Sequence, residues 1–219
     1  MSNTTRFLPA KESGWFIWLF DLYVRWLLKR RFHRVHLDSE YKPGKHQKTI
    51  YYLNHSSWWD GLVPFILNQR LFRQKARGMM EDKQLKAYPF FRRLGVFSIP
   101  ADRRSSQMFA SLRYALHSLQ RDGSSLYIYP QGKIEPFQTR PIRFKKGLGW
   151  LARQCPDADL VPVGIYIHTM RKDKPELHIS VGSAVNIGRE SDTETINKIL
   201  EQHLEDLLKK LVNSAADMN

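Results

Sequence analysis

Cysteine is almost absent from this chain of 219 residues, because Cys155 stands alone. A single cysteine excludes a disulfide within the chain, offers no cysteine framework for a metal and fits a reducing compartment. Residues 1–14 lack the charged-then-apolar pattern of a secretory signal. No uninterrupted apolar run approaches the roughly 20 residues that a membrane-spanning helix needs.

Acidic residues are also scarce, with 21 Asp and Glu against 35 Lys and Arg and a net charge of +14. The excess is local: residues 70–104 contain ten basic and three acidic residues, whereas residues 189–219 contain four and seven. Such a charge predicts an anionic partner, which is a nucleic acid, a phospholipid surface or an anionic substrate. No helix-turn-helix, zinc-finger or RNP-type pattern is found, so nucleic acid is not expected.

Several motifs of known enzyme classes are missing. The chain contains no G-x-S-x-G elbow, no H-E-x-x-H pair, no P-loop and no G-x-G-x-x-G turn. Its eight histidines are scattered along the sequence. We therefore expect neither a serine hydrolase nor a nucleotide fold, and we predict no metal and no cofactor.

The segment from Gly14 to Phe32, in contrast, is dense in apolar and aromatic residues and ends in three basic residues. Tryptophans followed by a basic cluster are typical of a helix lying in a membrane interface. The same composition also suits a terminal helix packed on the core, and the two arrangements are compatible. We predict that residues 1–33 form an amphipathic, aromatic-rich helix that associates with a membrane and that residues 34–219 form the main domain.

The rest of the chain alternates between short apolar runs and helical patterns of ten to fifteen residues. This alternation predicts an α/β fold with a mixed, largely parallel central sheet flanked by helices. We expect one helix over residues 60–68, a second over residues 81–95 that breaks at Pro89, and a last helix that begins at Ser191 with a capping box.

His55 and Asp60 lie where a buried strand ends and an apolar helix begins. Residues five apart on a regular helix do not face each other, so a contact requires His55 to lie in the preceding turn, folded back towards Asp60. An aspartate that accepts the proton of one ring nitrogen orients the imidazole and raises its basicity. The other nitrogen can then deprotonate a substrate hydroxyl or thiol.

The alternative for His55 is a purely structural role, in which it caps the helix or satisfies a buried backbone group. For Trp58 and Trp59 we favour packing over catalysis.

The sequence NHSSWWD, from Asn54 to Asp60, resembles the N-H-x-x-x-x-D motif of the glycerophospholipid acyltransferases, the family that includes the lysophosphatidate acyltransferases. Further blocks similar to those of this family follow in the same order. They are LGVFSIPADRRS (94–105), LYIYPQGKIEP (126–136), FKKGLGWLA (144–152) and LVPVGIY (160–166). The resemblance covers residues 48–182 and makes residues 34–219 the acyltransferase domain.

The resemblance implies acyl transfer from acyl-CoA or acyl carrier protein to a hydroxyl of a lipid such as 1-acylglycerol-3-phosphate. It makes His55 the general base and Asp60 the residue that orients it, with direct attack by the acceptor oxygen and no acyl-enzyme. The substrate-binding residues that it implies are Asn54, Arg103, Arg104, Gln131, Gly132 and Lys133. Backbone N–H groups around Gly132 are candidates for stabilising the oxyanion.

The third block departs from the usual F-P-E-G-T-R. The four changed positions are Tyr129, Gln131, Lys133 and Ile134. The missing arginine removes a bidentate phosphate clamp, for which Arg140 and Arg143 are candidate substitutes. Two alternatives to a lysophosphatidate acceptor therefore stay open: a neutral acceptor, such as a glycolipid or a glycosylated isoprenoid, and a non-catalytic lipid-binding member of the same fold.

These features also predict where the protein works. The basic surface and the aromatic helix favour an anionic membrane as a partner, beside the acyl thioester and the lipid acceptor. We expect a peripheral or monotopic protein on the cytoplasmic face of the membrane.

Overall fold

A seven-stranded sheet in the order β1-β7-β6-β2-β5-β3-β4 forms the centre of the molecule. The computed structural model describes residues 7–100, 106–170, 172–188 and 191–217. The strands are β1 (Arg34–Ser39), β2 (Lys48–Leu53), β3 (Lys75–Glu81), β4 (Val96–Ile99), β5 (Ser124–Ile128), β6 (Ala158–His168) and β7 (Glu176–Val181). Within this part of the chain, β6 and β7 are antiparallel and the other neighbouring strands are parallel. The predicted mixed, largely parallel sheet is confirmed.

Helices cover both faces of the sheet. They are α1 (Gly14–Arg31), α2 (Val63–Leu67), α3 (Asp82–Ala87), α4 (Ser106–Leu119), α5 (Gly147–Gln154) and α6 (Thr193–Asp217). One core cluster includes buried residues of α1 and α2, and a second, on the other face, includes residues of α4, α5 and α6. Strand β2 lies between these clusters, which explains its unbroken buried run from Ile50 to Leu53.

Three local features differ from the sequence prediction. The single helix expected over residues 60–68 is instead a 3-10 helix (Trp58–Leu62), then α2, then a π-helical turn (Asn68–Phe72). Strand β3 was not predicted, because its KARGMME sequence contains glycine and charged residues and has low β-propensity. Helix α6 is capped by Asp192 and not by Ser191, since the Asp192 Oδ1 accepts the Thr195 N–H at 2.7 Å.

The break expected at Pro89 is confirmed. Helix α3 ends at Ala87, and a 3-10 helix from Pro89 to Leu94 follows it.

Helix α1 has apolar residues on both of its sides. Its inner side buries Phe20, Val24, Leu27 and Leu28 against the core. Its outer side exposes a row that we call the aromatic face, composed of Trp15, Trp18, Leu19, Leu22, Tyr23 and Trp26. The helix is therefore aromatic-rich as predicted, but it is not amphipathic in the usual sense. No helix in the described ranges combines the length and the apolar character that crossing a bilayer requires.

Candidate active site

The carboxyl end of β2 leads directly into the pair that the sequence singled out. After Leu53 the chain turns through residues 54–57 before the 3-10 helix, and this turn folds His55 back over Asp60. The His55 Nδ1 lies 3.2 Å from the Asp60 Oδ2. The aspartate is fully buried, whereas about a fifth of the histidine side chain is exposed. The predicted contact is confirmed, and it leaves the imidazole open to a substrate.

Asp60 is held by four hydrogen-bond donors. Its Oδ2 accepts the N–H groups of Ser56 at 2.5 Å and Ser57 at 2.8 Å, in addition to the His55 ring. Its Oδ1 accepts the Ser57 hydroxyl at 2.6 Å, which completes a capping box for the 3-10 helix. A carboxylate surrounded in this way can only accept. These contacts therefore favour the His55 tautomer with the proton on Nδ1, in which Nε2 is the acceptor nitrogen.

Tyr129 closes the other side of this pair and was not assigned a role from the sequence. Its hydroxyl donates to the Asp60 backbone carbonyl at 2.5 Å, and its ring centroid lies 4.4 Å from that of His55. Burial, together with the nearby Asp60 charge, raises the pKa of this phenol well above its usual range. Tyr129 thus remains a neutral donor that fixes both the aspartate segment and the imidazole.

Gln131 positions His55 through the backbone. Its side-chain oxygen accepts the His55 N–H at 2.7 Å, while its amide nitrogen donates to the Glu135 Oε2 at 2.8 Å. The Glu135 Oε1 in turn lies 2.9 Å from the Lys133 ammonium, and the hydrogen bonds from Lys133 and Gln131 lower the pKa of Glu135. A carboxylate thus stands beside the motif although the usual glutamate is replaced. The sequence did not point to Glu135, because this residue lies four positions after Gln131, where the family motif has its glutamate.

Asn54 binds the neighbouring strand through both of its side-chain polar atoms. Its Nδ2 donates to the Ile165 carbonyl at 2.9 Å, and its Oδ1 accepts the Ile165 N–H at 2.8 Å. These bonds fix the end of β2 against β6 and so position His55. A direct contact of Asn54 with substrate stays a prediction.

Gly132 occupies a turn with φ of 70°, a conformation that favours glycine. Its N–H donates to the Tyr129 carbonyl at 3.0 Å and is therefore engaged within the turn. The oxyanion role of the backbone N–H groups around Gly132, and the contact of Gly132 with substrate, stay predictions. Arg103 and Arg104, the other predicted binding residues, lie outside the described residues.

Arg140 and Arg143 are the candidate replacements for the arginine that the third block lacks, and of these two Arg140 lies beside His55. Arg140 lines a small cleft shared with His55, Gln131 and Phe137, and its Nη1 donates to the carbonyls of Phe137 and Thr139. Among the described residues, no carboxylate pairs with it. Arg143 instead forms an ion pair with Glu201 at 3.2 Å.

A second, larger cavity of about 490 Å³ lies near the pair, although neither His55 nor Asp60 lines it. Gly61 and Tyr129 contribute to its wall, next to Asp60, and Phe20, Phe65 and Leu94 supply apolar surface. The wall also includes Ile17, Asp21 and Arg25 of α1, so the cavity reaches the N-terminal helix. Its volume is in the range of sites for small organic ligands.

The two tryptophans between His55 and Asp60 take different positions. The Trp59 ring packs edge-on against Phe32 with centroids 4.9 Å apart, which confirms the packing prediction for this residue. The Trp58 side chain is 62% exposed, and its one aromatic contact with a described residue is with its neighbour Trp59.

Comparison with known proteins places this arrangement in a family. The family model described as Acyltransferase matches residues 33–168, which is more than half of the chain and includes the His55–Asp60 turn and the Gln131 loop. The chain belongs to the acyltransferase family. None of the curated proteins that were compared with this acyltransferase matches it.

A solved structure is similar to this acyltransferase in fold. It is the crystal structure of the 1-acyl-sn-glycerophosphate (LPA) acyltransferase PlsC from Thermotoga maritima. The two chains are 16% identical and superpose with a TM-score of 0.64, over 89% of this chain and 79% of the other. The likeness at this identity establishes the fold, and the acceptor and donor have to be argued from the site.

Proposed function

We propose that this acyltransferase moves a fatty acyl group from an acyl thioester to the free hydroxyl of a lysophospholipid of the 1-acylglycerol-3-phosphate type. The His55 Nε2 removes the hydroxyl proton as the acceptor oxygen attacks the thioester carbonyl. A C–O bond forms, the tetrahedral intermediate collapses, and the C–S bond breaks. The departing thiolate takes the proton back from His55, so that the base is regenerated.

The observation that carries the proposal is the contact of His55 Nδ1 with the buried Asp60 carboxylate at 3.2 Å. The carboxylate fixes the tautomer before the reaction and stabilises the imidazolium that forms during it. The turn that makes this contact is the one that the family motif specifies. A merely structural histidine would not need a buried, fully coordinated carboxylate and an open second nitrogen.

Direct attack by the acceptor is favoured because two candidate nucleophiles, Ser57 and Cys155, are poorly suited to the role. The Ser57 hydroxyl is committed to Asp60. Cys155 lies between α5 and the amino end of β6, whereas His55 follows the carboxyl end of β2. Because β2 and β6 are parallel neighbours, the thiol and the imidazole lie at opposite ends of these strands. Burial also raises the pKa of the Cys155 thiol, which disfavours the reactive thiolate.

The larger cavity suits the acyl chain of the donor. It approaches the pair at Tyr129 and Gly61, so a chain inside it would bring its thioester carbonyl close to His55. The acceptor would then approach from the small cleft that Arg140 and His55 share. Separate sites for the two substrates near one imidazole are consistent with transfer in a single step.

The test of this proposal is product formation by the purified chain. We would supply palmitoyl-CoA or palmitoyl-acyl carrier protein with 1-acylglycerol-3-phosphate, and we expect a diacyl phosphatidate identified by mass. A glycolipid or an isoprenoid glycoside would be supplied in parallel. Transfer only to these neutral lipids would overturn the proposed acceptor, and no transfer from either donor while lipid vesicles still bind would support a lipid-binding role.

Arg140 is the cation that we expect to bind the acceptor phosphate. Replacement by alanine, Arg140→Ala, should raise KM for 1-acylglycerol-3-phosphate by about tenfold or more, because a charge-assisted hydrogen bond contributes about 1.5–3 kcal/mol. The KM for acyl-CoA should change little. Arg143→Ala is the matched control, since Arg143 pairs with Glu201. An equal effect of both substitutions, or none for Arg140→Ala, would remove Arg140 from the acceptor site.

A neutral acceptor is the second candidate, and one observation favours it. Lys133 stands where the family has its threonine, one position before the phosphate-binding arginine, and its ammonium is paired with Glu135 at 2.9 Å. The loop therefore offers less free positive charge than an arginine clamp. If Arg140→Ala leaves transfer to a glycolipid intact while wild-type turnover on the phosphate substrate is low, this second acceptor class becomes the better one.

We further propose that the protein docks on the membrane surface through the aromatic face of α1. Three basic residues occupy the last turn of α1, and Arg93 lies over the rings of Trp15 and Phe16. Interfacial tryptophans beside cations are typical of a surface that binds anionic lipid. Because α1 also lines the larger cavity, docking through this face would bring the cavity to the bilayer.

Removing two tryptophans from the aromatic face should greatly weaken vesicle binding. The double variant Trp15→Ser/Trp18→Ser loses two side chains that are 64% and 65% exposed, so the fold should be retained. Transfer of each large apolar side chain from water contributes about 1.5 kcal/mol or more to binding. Loss of two should therefore lower the partition coefficient on anionic vesicles about 100-fold. Phe109→Ser is the control, because Phe109 is 71% exposed on α4, on the other face of the sheet. Equal binding by all variants in a sedimentation assay would contradict docking through α1.

A further inference from the structure

Histidines that are distant in the sequence come together on one face of the sheet, away from His55. His36 on β1 is the register partner of His178 on β7, and Glu176 lies two residues before His178 on the same face of the strand. On β6, which is antiparallel to β7, His168 is opposite Glu176. Three strands thus contribute three imidazoles and one carboxylate to a single patch.

The donor atoms of three of these residues already converge. The His36 Nε2 lies 3.3 Å from the Glu176 Oε1, and the rings of His36 and His178 stack with centroids 4.3 Å apart. One donor atom from each of His36, Glu176 and His178 lies within 4.8 Å of the other two. Tetrahedral ligands of zinc are about 3.4 Å apart, as follows from metal–ligand distances near 2.1 Å. The His36–Glu176 pair meets this spacing. The His36 and His178 rings are nearly parallel, so binding one ion through both requires one imidazole to rotate.

Burial separates this patch from an ordinary surface ion pair. The exposed fraction is 7% for Glu176, 1% for His178 and 8% for His168. The Nδ1 of His168 is buried and has no hydrogen-bond partner among the described residues. A buried imidazole nitrogen without a partner is costly, and a metal ion or a bound water would satisfy it.

We propose that His36, Glu176 and His178 form a binding site for a divalent transition-metal ion, with His168 as the adjacent fourth donor. Imidazole and carboxylate ligands without thiolate select zinc and its neighbours over magnesium or calcium. Two histidines and one glutamate form a common zinc ligand set. The ion would join the edge strand β1, which directly follows α1, to its neighbour β7.

A single aromatic side chain, Tyr166, separates the proposed metal site from Phe137 in the loop that follows Gln131. Tyr166 lies between the two, with its ring centroid 6.3 Å from that of His178 and 4.8 Å from that of Phe137. Phe137 lines the cleft at His55. Occupancy of the metal site therefore bears on the packing beneath that loop, while the ion itself takes no part in the acyl transfer proposed above.

The test is zinc binding by the tag-free, metal-stripped full chain. We expect calorimetry to show one saturable Zn²⁺ per chain, and the unfolding midpoint to rise by about 5–10 °C at a free zinc concentration of 100 Kd. Bound Co²⁺ should give the visible absorption bands of a low-coordinate nitrogen and oxygen site. His36→Gln should weaken Zn²⁺ binding by about 10- to 100-fold or more.

The control is His46→Gln, which removes an exposed histidine that pairs with Asp122 and leaves the cluster intact. Glu176→Gln is the second variant, in case His36→Gln is poorly folded by circular dichroism. Absence of saturable binding by the wild-type chain would overturn the proposal. So would unchanged affinity in the folded cluster variants, or equal loss in His46→Gln.

Discussion

Replacing the proposed base, His55→Ala, should lower kcat for acyl transfer by about 10²–10⁴-fold, the usual contribution of a positioned general base. The KM values should change little, because the imidazole acts on the hydroxyl proton and does not hold either substrate. Alanine removes the ring contact with Tyr129 and one of the four hydrogen bonds to Asp60. The other three bonds to Asp60 and the backbone bond from residue 55 to Gln131 remain, so the loop should retain its structure. Thiol release from acyl-CoA in the presence of acceptor measures the rate.

The matched control for this variant is His46→Ala. His46 precedes β2 and His55 follows it, so the two histidines lie at opposite edges of the sheet. The His46 side chain is largely exposed, and the Asp122 carboxylate that it contacts at 3.2 Å is largely exposed as well. Near-wild-type turnover by His55→Ala would show that the base lies elsewhere and would return His55 to a structural role.

The second large effect is expected from Asp60→Asn, a change that removes charge but little volume. The asparagine carbonyl can keep the bonds from the Ser56 and Ser57 N–H groups, and its NH₂ group can donate to the Ser57 hydroxyl. The fold should therefore survive. The negative charge that stabilises the imidazolium is lost, and we expect kcat to fall by about 10²–10³-fold, as for loss of one preorganised electrostatic partner.

Asp60→Ala separates this electrostatic effect from a structural one. Alanine leaves the Ser56 and Ser57 N–H groups and the Ser57 hydroxyl, which are partly buried, without their acceptor. Each unsatisfied group costs up to about 1–3 kcal/mol. We expect a clear drop in the unfolding midpoint for Asp60→Ala and little change for Asp60→Asn, measured by thermal denaturation. If Asp60→Asn turns over at the wild-type rate, the carboxylate serves the turn alone and does not assist His55.

The His55–Asp60 pair could be predicted from the sequence because its signal is local. A motif of seven residues between a buried strand and an apolar segment already implies the turn that brings the two side chains together. The parallel sheet was predictable for a similar reason, since β2 and β6 are continuous apolar runs. Strand β3 gave no such signal, because its residues have low β-propensity. It is a strand because it pairs with β4 and β5 in the folded sheet.

The supporting residues of the site were not predictable because they act across long sequence distances. Asn54 is tied to Ile165, and His55 to Gln131, through contacts that only the folded sheet creates. Glu135 supplies a carboxylate beside Gln131, at a position that the family motif does not mark. The histidines of the proposed metal site look scattered in sequence for the same reason, since strand register alone brings His36 to His178.

Direct attack by the acceptor hydroxyl, assisted by His55, is the central claim, and intact-protein mass spectrometry tests it most directly. The purified chain would first be mixed with palmitoyl-CoA alone and then with 1-acylglycerol-3-phosphate. We predict an unmodified protein mass throughout, with phosphatidate formed only after the acceptor is added. A protein that gains one palmitoyl group before the acceptor arrives would contradict the account, because a side chain of the enzyme would then be the nucleophile.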